Sequence, residues 1–161
     1  MTDYALLHAQ CAALTDGEPD ALANVSNICA LVFAELADVN WAGVYLLRDD
    51  TLVLGPFQGN TACVRIAVGA GVCGTAVAER RILRVADVHA FEGHIACDAA
   101  SESEIVLPLI SGDTLWGVLD IDSPSKDRFS EDDEAGLSAI AQLISDRVNR
   151  SPGSLGLSAS P

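Results

Sequence analysis

Basic residues are scarce in this chain. Lysine and arginine number 9 against 23 aspartate and glutamate residues, which gives a formal net charge of −14 over 161 residues. Such a surface repels phosphate backbones and anionic lipid, so we expect no nucleic-acid partner and no membrane partner. Half of the residues are hydrophobic, which suffices for a substantial core, and the length favours one domain.

Long apolar runs and a basic N-terminal stretch are also missing. No run approaches the roughly 20 residues of a membrane helix, and residues 1–15 lack the lysine or arginine that opens a signal peptide. The five cysteines are odd in number and widely spaced, which is atypical of a secreted disulfide scaffold. We therefore expect a cytoplasmic protein whose cysteines are either core residues or reactive thiols.

The hydrophobic pattern changes period along the chain. Helical spacing predicts helices over residues 4–14 and 22–36, with Cys11 and Leu14 on the apolar stripe of the first and Leu22 and Cys29 on that of the second. The predicted strands, some joined as hairpins, cover residues 41–47, 51–57, 63–69, 82–85, 104–110 and 114–122, with a short helix at 74–81. Ser130 and Asp133 resemble a capping box that begins a last helix.

This order of elements predicts an α+β fold in which N- and C-terminal helices pack against an antiparallel sheet. We expect the domain to span residues 1–150. Residues 151–161 are small and glycine-containing, and we expect them to form a disordered tail.

Two motifs allow more than one interpretation. Gly69, Gly71 and Gly74 match the spacing of a dinucleotide fingerprint, but that fingerprint belongs to parallel sheets, whereas this chain indicates hairpins. A tight turn, or an anion site at a helix start, is the alternative. The side chains of His89, His94 and Cys97 are of types that can bind a metal. The sequence has no Cys-x-x-Cys pair and no zinc-finger spacing, however, so the favoured interpretation is that they are solvated loop residues.

Three cysteines lie outside the helical stripes. Cys63 begins a predicted strand, Cys73 lies near a helix start, and Cys97 lies in a polar loop. A thiol ionises readily when it is partly exposed and close to a cation or a helix N-terminus. Cys97, with His94 three residues before it, is the best candidate for a reactive thiol, and an inert loop cysteine is the alternative.

Carboxylates cluster at the ends of two apolar strands. Asp120 and Asp122 alternate with Ile121 and share a face, and Glu104 begins the preceding strand. Because the hairpin turn joins the far ends of these strands, the three acids lie together at its open end. Like charges in a partly buried site raise one another's pKa, which makes one acid a proton donor near neutral pH. A solvated strand end is the alternative.

Residues 40–137 resemble the free methionine-(R)-sulfoxide reductases, an enzymatic branch of the GAF domains. The resemblance rests on the segments NWAGVYLL, LGPFQG, TACVRI, GAGVCGTAV, VHAFEGHIACD, SEIVLPL and GVLDIDSP. It implies an antiparallel sheet of about six strands packed by helices on one face, a homodimer, and reduction of free methionine-(R)-sulfoxide.

The resemblance also implies roles for individual residues. Cys97 matches the family's catalytic cysteine, Cys63 matches its resolving cysteine, and Cys73 matches an auxiliary thiol. The family's active-site acids correspond to Glu104, Asp120 and Asp122. Trp41 matches the aromatic wall that contacts the substrate's methyl group. The thiolate would become a sulfenic acid and then a disulfide, which thioredoxin would reduce. No metal or organic cofactor is required.

Binding of the free amino acid has a physical basis in the same residues. The acids suit its α-ammonium group, and main-chain N–H groups from Gly71 to Gly74 suit its α-carboxylate. Two alternatives to an enzyme stay open, namely a GAF sensor that binds a small ligand and a thiol redox sensor that uses the same cysteines.

Overall fold

The computed structural model describes residues 1–95 and 97–158 of the chain. The helices are α1 (Tyr4–Leu14), α2 (Ala21–Glu35), α3 (Gly71–Glu79) and α4 (Glu131–Arg150), with short 3-10 helices at Val88–Ala90 and Pro152–Leu155. The strands are β1 (Trp41–Arg48), β2 (Thr51–Gly59), β3 (Arg65–Ala67), β4 (Leu83–Val85), β5 (Ser103–Ser111) and β6 (Thr114–Ser123).

The six strands form one sheet in the order β3-β2-β1-β6-β5-β4, and each neighbouring pair is antiparallel. The predicted α+β class and antiparallel sheet are therefore confirmed. The dinucleotide interpretation of Gly69, Gly71 and Gly74 is excluded, because that fingerprint requires a parallel βαβ unit.

Side-chain alternation along the strands divides the core between the two faces of the sheet. On β1, Val44 and Leu46 point to the face covered by α1, α2 and α4, whereas Trp41 and Tyr45 point to the opposite face. Helix α3 packs on this opposite face, through Val72, Cys73, Ala76 and Val77. The expectation of helices on one face thus holds for three of the helices, and α3 departs from it.

Local signals place the helix ends. Asp3 and Asp20 accept hydrogen bonds from the first turns of α1 and α2, as N-cap residues do. The predicted capping box of Ser130 and Asp133 is present at the start of α4. Within the described residues, no helix combines the length and the apolar character that a membrane crossing requires.

The helical stripes were predicted well at the core and less well at their edges. Cys11 and Cys29 are fully buried, and burial raises their pKa values to about 11 and about 12, so both behave as core residues. Leu14 and Leu22, assigned to the same stripes, are instead about half exposed, at 49% and 46%. Leu14 is the last residue of α1, and Leu22 is the second residue of α2.

The C-terminal segment departs from its prediction. Residues 152–155 form a 3-10 helix, and Leu155 and Leu157 join the core cluster beneath the helices. Arg48 donates a hydrogen bond of 2.9 Å to the carbonyl of Leu155. The expectation of a disordered tail is therefore wrong for residues 151–158, because two leucines gain buried contacts. Residues 159–161 lie outside the described part of the chain.

Candidate active site

The three predicted acids converge on the face of the sheet that α3 covers. In the β5–β6 register Glu104 stands opposite Asp122, and Asp120 lies two residues further along β6 on the same face. On the other side of β6, Trp41 of β1 stands opposite Asp122. The open end of the hairpin therefore carries a row of side chains across three strands, as the alternation predicted.

Burial changes the protonation of these acids. Glu104 and Asp120 are only 7% and 6% exposed. Burial, with the negative charge of Asp122, raises the pKa of Glu104 to about 8. The pKa values of Asp120 and Asp122 also rise, through burial and then through the charge of a neighbouring acid. Near neutral pH the cluster therefore holds protons that it can donate.

Two aromatic residues of β1 form a wall beside the acids. Trp41 stacks on Tyr45 and on Phe57, with ring centroids 5.8 and 5.3 Å apart. Tyr45 is buried and lines the same cavity as Trp41, and it was not among the residues predicted from the sequence. The signal was its position four residues after Trp41 on a strand, which places both rings on one face.

The cysteines fall into two environments. Cys63 and Cys97 are joined by a disulfide with their Cα atoms 5.2 Å apart, and both are half-buried. Cys63 lies in the connection before β3, not in the strand as predicted, because β3 begins at Arg65. The remaining cavity thiol, Cys73, is buried on α3 and donates to Glu104 Oε1 at 3.7 Å.

The environment of Cys73 makes it a poor nucleophile. Burial, followed by the negative charges of Asp120 and Glu104, raises the pKa of this thiol well above its usual range. The donor atoms of Cys73, Glu104 and Asp120 lie within 4.8 Å of one another. A cation bound there would have to displace protons that burial holds on all three groups.

The start of α3 supports part of the predicted anion site. Gly71 lines the cavity, and within the described residues no hydrogen bond is made by the N–H groups of Gly71, Val72 or Cys73. The prediction for Gly74 is wrong, because its N–H donates to the carbonyl of Ala70 at 2.9 Å. A side chain at Gly74 would instead collide with the main chain of β3.

The loop before β5 carries Cys97 over the cavity. His94 and Asp98 line the cavity with it, while His89 Nε2 lies 3.5 Å from Glu102 Oε2. Burial and the charge of His89 lower the pKa of His94, so His94 is less suited than predicted to supply a positive charge. The metal-site alternative also loses support, since the Cys97 sulfur is bonded to Cys63 and His89 faces a carboxylate.

Known proteins are similar to this chain in sequence and in fold. A GAF domain model matches residues 20–148. A free methionine-R-sulfoxide reductase of Escherichia coli (strain K12) is 60% identical over 141 residues, which are 87% of this chain and 86% of that protein.

Two solved structures with bound substrate are similar along nearly the whole chain. The fRMsr of Staphylococcus aureus has a TM-score of 0.87 at 51% identity, covering 92% of this chain and 97% of that one. The free methionine-R-sulfoxide reductase of Neisseria meningitidis has a TM-score of 0.89 at 39% identity, covering 93% and 90%. This chain is therefore a GAF domain that belongs to the free methionine-R-sulfoxide reductase family.

Proposed function

We propose that this protein reduces free L-methionine-(R)-sulfoxide to methionine. The observation that carries the proposal is the Cys63–Cys97 disulfide at a cavity lined by the buried acids Glu104 and Asp120 and by the half-buried Asp122. A thiol pair that can be oxidised and a proton donor are the two components that sulfoxide reduction requires. The names and bound substrates of the similar proteins from E. coli, S. aureus and N. meningitidis support the same activity.

In the first step, the Cys97 thiolate attacks the sulfoxide sulfur. A protonated acid donates its proton to the sulfoxide oxygen, which passes to the Cys97 sulfur as hydroxyl while methionine leaves. Glu104 suits this role because burial keeps its carboxyl group protonated near neutral pH. Asp120 and Asp122 share this property and are the other candidate donors.

In the second step, a thiol condenses with the sulfenic acid and water leaves. Cys63 is the favoured resolving residue, since it already pairs with Cys97 in the structure. Cys73 is a free buried thiol with a raised pKa, which fits the lesser, auxiliary role. An external dithiol, which we propose is thioredoxin, then exchanges with the half-buried disulfide and restores both thiols.

The cavity also favours the free amino acid over a peptide. Trp41 offers an apolar face to the S-methyl group, and the acids accept hydrogen bonds from the α-ammonium. The N–H groups at the start of α3 suit the α-carboxylate. A methionine within a polypeptide lacks both terminal charges, so the buried groups that match them would stay unpaired.

We further propose that the protein is a homodimer. Leu6, Leu14 and Leu22 of α1 and α2 expose 55%, 49% and 46% of their surface, which suits an apolar contact between two copies. Sedimentation at micromolar concentration tests this proposal. A monomer under those conditions would contradict it.

One assay tests the proposed function directly. The reduced protein is supplied with the R and S epimers of free methionine sulfoxide and with an N-acetylated R analogue, and released methionine is measured. We expect turnover of the free R epimer and slower turnover of the other two by orders of magnitude. A thiol redox sensor would form the disulfide with peroxide yet release no methionine, and a ligand sensor would bind cyclic nucleotide in calorimetry.

A further inference from the structure

Two aromatic side chains of β1 hold the connection that carries Cys63. This connection, residues 60–64, joins β2 to β3 without strand structure of its own. The indole Nε1 of Trp41 donates to the carbonyl of Asn60 at 3.1 Å. The phenol of Tyr45 donates to the carbonyl of Cys63 at 2.9 Å. The main chain at the resolving cysteine is therefore attached to the centre of the sheet by a side chain.

Tyr45 is well suited to be a fixed donor. It is 1% exposed, and its ring stacks on Trp41 on a strand that pairs with β2 on one side and β6 on the other. Burial, followed by the negative charge of Asp120, raises the pKa of the phenol, so the hydroxyl keeps its proton. The acceptor is the main-chain carbonyl of Cys63 and not its sulfur, so reduction of the disulfide leaves both partners of the hydrogen bond chemically unchanged.

We propose that Tyr45 is a positioning residue that holds the main chain at Cys63 so that the Cys63 sulfur meets the sulfenic acid of Cys97. This inference rests on the proposed function. In the step that it serves, the Cys63 thiolate attacks the Cys97 sulfur, an S–S bond forms, the S–O bond breaks, and the hydroxyl leaves as water with one proton. Placement matters because misplacing a reacting group by about 1 Å can cost up to about a hundredfold in rate.

The substitution Tyr45→Phe isolates the hydroxyl, because it keeps the buried ring and removes only the donor. The chain offers a matched control, since its other tyrosine, Tyr4, makes its hydrogen bond to Asp133 away from the cavity. Tyr4→Phe likewise removes only the hydroxyl, here from a partly buried tyrosine. A second variant, Ala62→Gly, loosens the same connection with the Tyr45 hydroxyl intact.

The measurement separates the two chemical steps. Reduced protein is mixed with one equivalent of free methionine-(R)-sulfoxide, and released methionine, disulfide and the dimedone adduct of the sulfenic acid are followed over time. In Tyr45→Phe we expect disulfide formation to slow about tenfold more than methionine release, with more dimedone adduct. Ala62→Gly should shift in the same direction, and Tyr4→Phe should match the wild type.

A parallel experiment with hydrogen peroxide forms the Cys97 sulfenic acid without methionine sulfoxide. Slower disulfide formation in Tyr45→Phe under peroxide supports the inference even if the protein releases no methionine, which would overturn the proposed function alone. Disulfide formation as fast as in the wild type, or slowed no more than methionine release, overturns the role of Tyr45. If Tyr45→Phe does not fold, replacement of Tyr45 by 4-fluorophenylalanine, which keeps the size of the side chain but also lacks the donor, takes its place, and wild-type kinetics in that protein overturn the role of Tyr45.

Discussion

Cys97 and Cys63 carry different steps of the proposed cycle, and single substitutions separate them. Cys97→Ser removes the nucleophile, so we expect no methionine even in a single turnover. Cys63→Ser leaves the first step intact, so one equivalent of methionine should form while thioredoxin-driven turnover falls strongly. Stoichiometric methionine and steady-state rates check both variants, with Cys11→Ala as the core-cysteine control. Retained methionine formation in Cys97→Ser would remove that residue as the nucleophile.

The proton donor has a pH signature. Because burial raises the pKa of Glu104 to about 8, this carboxyl is protonated below that pH and ionised above it. We expect the single-turnover rate to fall as the pH rises through about 8, and Glu104→Gln to lose about a hundredfold in rate together with this dependence. Glu102→Gln, a more exposed neighbour, is the control. If Glu104→Gln and Asp122→Asn both keep the wild-type profile, the donor assignment is wrong.

At the scale of elements, the contact of α3 with β3 requires a glycine. A Cβ atom on Gly74 would lie 2.3 Å from the carbonyl oxygen of Ala67. We therefore expect Gly74→Ala to lower the free energy of unfolding by about 1–3 kcal/mol through overpacking. At Gly153 an added Cβ meets nothing within 4 Å, so Gly153→Ala is the control. Equal urea midpoints for the two variants would show that α3 moves away from β3 without cost.

The C-terminal 3-10 helix makes a second prediction at this scale. Leu155 is 5% exposed and belongs to the main core cluster. Leu155→Ala should lower the free energy of unfolding by about 2 kcal/mol or more, whereas a disordered tail would give no change. Val64→Ala shortens a side chain that is 57% exposed and lies outside the proposed dimer contact, and it should have a small effect. Urea unfolding of both variants decides between an ordered and a disordered segment.

At the scale of the whole molecule, buried acids make stability depend on pH. Burial raises the pKa of Glu104 from 4.5 to about 8 in the folded state. Below pH 4.5 both folded and unfolded chains hold this proton, and between 4.5 and 8 only the folded chain does. The free energy of unfolding should therefore fall as the pH rises through this window, by up to about 1.4 kcal/mol per pH unit for each such group.

Denaturant unfolding from pH 5 to pH 9 measures this slope. Asp120 and Asp122 have raised pKa values and act in the same direction. Glu104→Gln should flatten the curve and gain stability relative to the wild type at pH 8. Glu102→Gln should keep the wild-type slope. A wild-type curve that is flat, or one that rises with pH, would contradict the buried, protonated cluster.

Properties that depend on neighbouring residues could be predicted from the sequence. Hydrophobic periods and caps are local, so the helices, the hairpins and the capping box at Ser130 were placed within a few residues. The convergence of Glu104, Asp120 and Asp122 was also predictable, since strand alternation and a short hairpin turn determine which side chains share a face.

Other properties depend on contacts between distant segments. The face that α3 covers, the hydrogen bond from Tyr45 to Cys63 and the buried leucines of the C-terminal segment all join residues far apart in the chain. Gly74 differs from these cases, since its pattern indicated an anion site but its N–H makes a local hydrogen bond to the carbonyl of Ala70. The sequence by itself determined the reactive groups and their local geometry. Only the tertiary structure decided which reactive groups come into contact and which of them keep their protons. Long-range packing determines the contacts, and burial determines the protonation.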